Sequence, residues 1–228
     1  QSRSSAASDV YKRQGLLGGL QGTIGWIMVA SGLREGMTAV APVKLMLHLT
    51  TASIILALLV GLIVALRDRP AVAAPVAVRR MALVVVAAVL LQIALGALVA
   101  GSKAGLSYNT WPLMDGRLIP PLDGLAIVDP WYENLVDNPL TVQFNHRMAA
   151  YLLLGLALLQ VWRAPAGSAR RRAGVVAALV LAQAGVGVAT LLWQVPLGLG
   201  LAHQGLAMVV LAMAVVHWRL CAGVPAQR

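Results

Sequence analysis

Apolar residues run through this chain in long stretches separated by short polar breaks. A helix needs about 20 of them in succession to cross the hydrocarbon core of a bilayer. Six stretches reach that length, at roughly 15–33, 44–66, 81–101, 140–162, 173–193 and 198–220. The pattern predicts an all-α, polytopic membrane bundle of six transmembrane helices. Residues 1–14 are polar, lack the apolar core of a signal peptide and read as a non-native-looking leader set apart from the remainder of the chain. Residues 102–139 are a long connection rich in Trp, Pro, Asn and Asp, with turns marked at Pro120-Pro121 and Asn138-Pro139. Connections of that length are uncommon and often functional. With Trp111 and Trp131 in it, this one is expected to fold as a cap over the outer end of the bundle.

Composition narrows the class. Of 228 residues, 59% are hydrophobic and 11% charged, where a soluble domain carries about a quarter charged residues. An ordinary soluble enzyme and a disordered chain are both excluded. The net charge of +10 does not describe a nucleic-acid face, because the basic residues sit in short clusters between the apolar runs, as membrane proteins place them to set orientation. Arg67, Arg69, Arg79 and Arg80 share one side with Arg163, Arg170, Arg171, Arg172, Arg219 and Arg228 if the spans alternate. That side is expected to be cytoplasmic, with both ends of the chain on it. On the other side Arg34, Lys44, Lys103 and Arg117 are offset by Glu35, Asp115, Asp123, Asp129, Glu133 and Asp137. The single cysteine, Cys221, excludes an intrachain disulfide and a cysteine-based metal cage.

A short motif recurs inside the spans. Gln21-Gly22-Thr23-Ile24-Gly25, Gln92-Ile93-Ala94-Leu95-Gly96 and Gln183-Ala184-Gly185-Val186-Gly187 all read Gln-x-x-x-Gly. Each is followed by a span with a histidine near its outer end: His48, His146 and His203. The unit is a helix pair repeated three times, and small residues at this spacing are expected to let helices pack closely in lipid. Repeated membrane bundles usually come in matching halves. Residues 81–222 make one four-helix half with His146 and His203, and residues 15–66 make one pair of another half with His48, the two joined by a cytoplasmic loop at 67–80 and followed by a tail at 223–228. The chain is therefore expected to be a fragment of an eight-helix protein.

A histidine within a membrane span is costly without a partner, so it is a functional candidate. Three at matched depth in matched repeat positions favour a cofactor over three isolated helix-to-helix hydrogen bonds. Imidazoles from two facing helices can grip heme iron edge-on in a bundle. The neighbours one turn on are small, Ala52, Ala149, Ala150 and Ala207, which leaves room for a flat macrocycle. Zinc fits less well, without HExxH or a cysteine cluster. Arg147, next to His146, is placed to pair with a heme propionate; Lys103 and Lys44 are weaker candidates. His217, at the inner end in His217-Trp218-Arg219, reads as an interfacial anchor.

Several segments resemble the heme A synthase family in its proteobacterial and mitochondrial branch: Gly96 to Gly105 (GALVAGSKAG), Tyr108 to Gly116 (YNTWPLMDG), Gln143-Phe144-Asn145-His146-Arg147 and Leu201-Ala202-His203-Gln204. The resemblance covers roughly residues 15 to 222. It implies an eight-helix protein of two four-helix halves, which oxidises the C8 methyl of heme O to a formyl group and so makes heme A for cytochrome oxidase. It implies that His146 and His203 ligate a heme b cofactor, and that His48 is one of two histidines associated with the substrate heme. The implied setting is a bacterial inner (plasma) membrane, with heme O synthase and cytochrome oxidase assembly factors as partners. Small-residue faces permit a homo-oligomer. The residues alone leave a bis-histidine electron-transfer protein of cytochrome b type as the alternative, ranked ahead of catalysis without the resemblance. A repeat-built transporter without cofactor is a third reading.

Overall fold

The computed structural model describes residues 2–33, 35–37, 39–67 and 74–222. Three of the orientation-setting arginines, Arg34, Arg69 and Arg228, lie outside the described residues, as do positions 68–73 of the 67–80 connection and the tail 223–228. The chain forms α1 (Ser2–Ala30), α2 (Pro42–Ala65), α3 (Val76–Gly101), a short α4 (Asn134–Asp137), α5 (Pro139–Arg163), α6 (Ser168–Leu192) and α7 (Leu197–Cys221). Each of the six apolar stretches is a helix. Proline sets several starts: Pro42 and Pro139 open α2 and α5, and Pro75 and Pro196 stand just before α3 and α7. The missing N–H of proline costs nothing in the first turn and its fixed φ suits a helix entry. Asn138 caps α5 by accepting from the Leu140 amide at 3.0 Å. Residues 2–14, set apart by polarity in the sequence, are helix continuous with the rest of α1.

Among the described residues, α2, α3, α6 and α7 are long and apolar enough to cross a membrane. Helix α5 has the length but carries Gln143, Asn145, His146, Arg147 and Gln160, and it turns several of these inward. Gln143, Arg147 and Gln160 are all buried, while Leu152, Leu158 and Trp162 on its other side are exposed. This inversion, apolar outside and polar inside, is what lipid as the solvent demands. The same outward apolar surface appears at Leu58, Leu91, Leu181 and Leu201.

Helices α3, α5, α6 and α7 form a ring of neighbours, with α5 and α7 across its diagonal. Val85, Val89, Ile93, Leu153, Val180 and Leu211 fill the middle. Helix α2 lies against α3 and α7, and α1 packs on α2. At the outer end α2 and α3 touch: a methyl on Gly101 would stand 2.7 Å from Pro42 Cα, so only glycine fits there.

The connection from Ser102 to Asn138 is folded and packs as a cap on the ends of α3 and α5 that it joins. It holds 3-10 turns at Ala104–Leu106, Gly124–Ala126 and Trp131–Glu133. Two buried asparagines pin it. Asn134 donates to the carbonyls of Val128 (2.7 Å) and Trp131 (2.9 Å) and accepts from the Val128 amide (3.0 Å). Asn138 donates to Gly124 O (2.9 Å) and to Asn134 Oδ1 (3.1 Å). Removing a buried partner costs about 1–3 kcal/mol per group left unpaired. Asn134→Ala is expected to loosen residues 124–138, making that segment cleavable by added protease while the helices stay protected; limited proteolysis with mass mapping checks it.

Candidate functional site

One arrangement is built three times, in the pairs α1–α2, α3–α5 and α6–α7. Gln21 Nε2 lies 3.1 Å from His48 Nδ1 and donates to the His48 carbonyl at 3.1 Å. Gln92 Nε2 lies 3.1 Å from His146 Nδ1 and donates to the His146 carbonyl at 3.1 Å. Gln183 Nε2 lies 3.2 Å from His203 Nδ1 and donates to the His203 carbonyl at 2.9 Å. One turn along each first helix comes the glycine, on the same face. A methyl on Gly25, Gly96 or Gly187 would stand 2.8, 3.0 or 2.8 Å from Cε1 of the facing imidazole. The Gln-x-x-x-Gly motif is thus a histidine cradle: the glutamine ties the imidazole's own backbone and ring, and the glycine leaves space for the ring. The close approach expected of the small residues is made at the glycine, against the ring of the facing histidine. A carbonyl only accepts, so the amide nitrogen must be the atom that faces it. The amide oxygens of Gln21, Gln92 and Gln183 are left buried without a partner.

The cradles place the three histidines differently. His146 on α5 and His203 on α7 belong to one four-helix ring, on its diagonal helices. His48 sits on α2, paired with α1 outside that ring. All three rings are half-buried, as are Ala52, Ala149, Ala150 and Ala207 beside them.

Arg147 is buried and ties α5 to the cap. It donates to Tyr108 O (2.8 Å), Leu113 O (3.3 Å) and Gln143 Oε1 (2.8 Å). Gln143 in turn donates to Ala104 O and Ser107 O, both at 2.7 Å. These acceptors are all uncharged, and Arg147 Nε is buried without a partner. The two lysines differ: Lys103 is exposed at the top of α3 and Lys44 is half-buried in the first turn of α2.

His217 is not an interfacial anchor. It is 2% exposed, and its Nε2 lies 3.0 Å from Gln160 Nε2, which also donates to Val78 O at 3.1 Å. Together they lock α3, α5 and α7 at the inner end. Sequence reasoning missed Gln160 and named Gln143 only as part of the QFNHR segment. For Gln160 the signal was there: it is a lone amide within an apolar run, like the three cradle glutamines.

The cradle glycines make a prediction with opposed signs. Alanine is the better helix former by about 1 kcal/mol, and nothing lies within 4 Å of a methyl on Gly155. Gly155→Ala is expected to raise thermal stability in detergent. Gly96→Ala and Gly187→Ala push the imidazole off its glutamine and are expected to fall about 1 kcal/mol or more below Gly155→Ala.

A family model described as "Cytochrome oxidase assembly protein" matches residues 8–215. Three curated relatives named heme A synthase are similar over most of the chain. That of Methylobacterium sp. (strain 4-46) is 61% identical over 211 residues, covering 90% of this chain and 58% of the relative. That of Methylorubrum populi is 61% identical over 215 residues, covering 93% and 56%. That of Brucella anthropi is 52% identical over 222 residues, covering 93% and 60%. The chain spans less than two thirds of the length of each.

Proposed function

The chain belongs to the heme A synthase family of cytochrome oxidase assembly proteins, and on that premise we propose that it forms part of an enzyme oxidising the C8 methyl of heme O to the formyl group of heme A. The single observation that carries this reading is the pair of cradled imidazoles, His146 and His203, on diagonal helices of one ring.

The residues suit a heme b there. Each imidazole is neutral-capable and held by its own glutamine. The neighbours one turn away are alanines. The arginine beside His146 is buried, hydrogen-bonds only uncharged acceptors and has an orphaned Nε, the complement of a propionate carboxylate. A heme held by two histidines supplies one-electron transfer. The protein's own part is ligation by His146 and His203, orientation through Arg147, and exclusion of water by the cap that Arg147 and Gln143 tie down. His48, in the same kind of cradle, is assigned to the substrate heme. A lipid-embedded site also shelters the apolar tail of heme O from water.

In this reading all six long helices cross a bacterial inner membrane, with both ends of the chain cytoplasmic. Helices α3, α5, α6 and α7 are one four-helix half, and α1–α2 is one pair of a second half in an eight-helix protein. Heme O synthase and cytochrome oxidase assembly factors are the partners this role requires, and the small-residue helix faces permit a homo-oligomer.

Purified chain is expected to show the sharp reduced absorption bands of a bis-histidine heme, lost in His146→Ala and in His203→Ala. A colourless protein overturns the heme site. A version extended to the relatives' length is expected to convert added heme O into heme A, measured by extraction and chromatography of the hemes. Bands without conversion leave electron transfer as the function.

A further inference from the structure

We propose that Gln92 and Gln183 are positioning residues for the iron: their amide oxygens take the Nδ1–H of His146 and His203, leaving Nε2 of each imidazole as the ligand atom. The inference rests on the proposed heme site and deepens it. A neutral imidazole has one N–H and one lone pair, and whichever nitrogen binds metal is set by the hydrogen bond the other makes. Histidine ligands nearly always donate their second nitrogen to an acceptor, which fixes the tautomer and strengthens the ligand.

The acceptor stands on the amide that already meets each ring. Gln92 Nε2 lies against the N–C–N edge of the His146 ring, 3.1 Å from Nδ1 and 3.3 Å from Nε2. Gln183 meets His203 in the same way, at 3.2 and 3.4 Å. In each case the amide nitrogen also serves the backbone carbonyl of the histidine it holds, so the amide is anchored beside the ring. The oxygen on the same amide carbon is buried and unspent. A buried acceptor with nothing to accept is costly. A rotation of ring and amide would offer it the Nδ1–H, at a place where the glycine one turn on puts no side chain against the ring.

Gln160 is the internal contrast. Its oxygen is also unpartnered and it also meets a histidine. Its nitrogen, however, bonds Val78 of a third helix and not the carbonyl of His217. His217 is sealed at 2% exposure, without room for a macrocycle.

The test uses the full chain in detergent, titrated with hemin. Gln92→Leu and Gln183→Leu are expected to weaken hemin binding ten- to hundredfold and to alter the low-spin ferric electron paramagnetic resonance signal. Gln92→Glu keeps an acceptor for the Nδ1–H while losing the donor to the His146 carbonyl, and is expected to retain hemin while lowering the midpoint potential, because an anionic acceptor makes the imidazole a stronger donor. Gln160→Leu is expected to lower the melting temperature of the heme-free protein and leave the heme signal unchanged. Leucine variants that melt lower without heme yet bind hemin with unchanged affinity and spectrum overturn the inference and reduce the glutamines to helix ties. If the unaltered chain gives no six-coordinate low-spin spectrum, the heme reading itself falls first.

Discussion

An imidazole placed among apolar helices must find hydrogen-bond partners, and in this chain each of the three outer histidines finds a glutamine on the preceding long helix. That constraint organises much of the rest. The glutamine spends its nitrogen on the histidine backbone and ring, so the two helices of a pair are locked in register at that depth. The glycine four residues on must lack a side chain because the ring occupies that space. In hydrocarbon an unpaired polar group costs several kcal/mol, so register set this way is hard to slip.

The cap follows from a second burial problem, that of Arg147. Its guanidinium sits inside the protein, where an uncompensated charge is expensive. Carbonyls of Tyr108 and Leu113 and the amide of Gln143 share it. These same bonds hold the connection down over the outer ends of α3 and α5, beside His146. The charge that orders the cap also lies next to His146, on the side chain that the proposed function assigns to a porphyrin carboxylate. One residue serves fold and proposed site, and its orphaned Nε marks the unfinished part.

Much of this was legible in the chain itself. Six apolar runs became six helices, because a run of about 20 apolar residues has few other ways to satisfy its backbone in lipid. The histidines stood out for the same reason: a polar ring in such a run has to be explained. The Gln-x-x-x-Gly recurrence was visible as a pattern, but its purpose was not. Periodicity relates residues on one helix, whereas the ring that fills each glycine's space comes from the next long helix along. His217 shows the same limit from the other side. Its position near a helix end suggested the interface, yet Gln160 and Val78 close over it from two other helices.

The long helices, the cap and the candidate histidines were thus determined by the order of polar and apolar residues, since lipid sorts residues by local composition. Tertiary structure alone decided that His146 and His203 share one ring while His48 stands outside it. It alone decided that Arg147 donates to carbonyls of the cap, and that four buried glutamine oxygens remain unspent among the described residues. These facts depend on which faces meet across helices separated by 20 to 54 residues of chain, as in the pairs Gln183–His203 and Gln92–His146. Such contacts are fixed by packing as a whole, and no local stretch of the chain contains them.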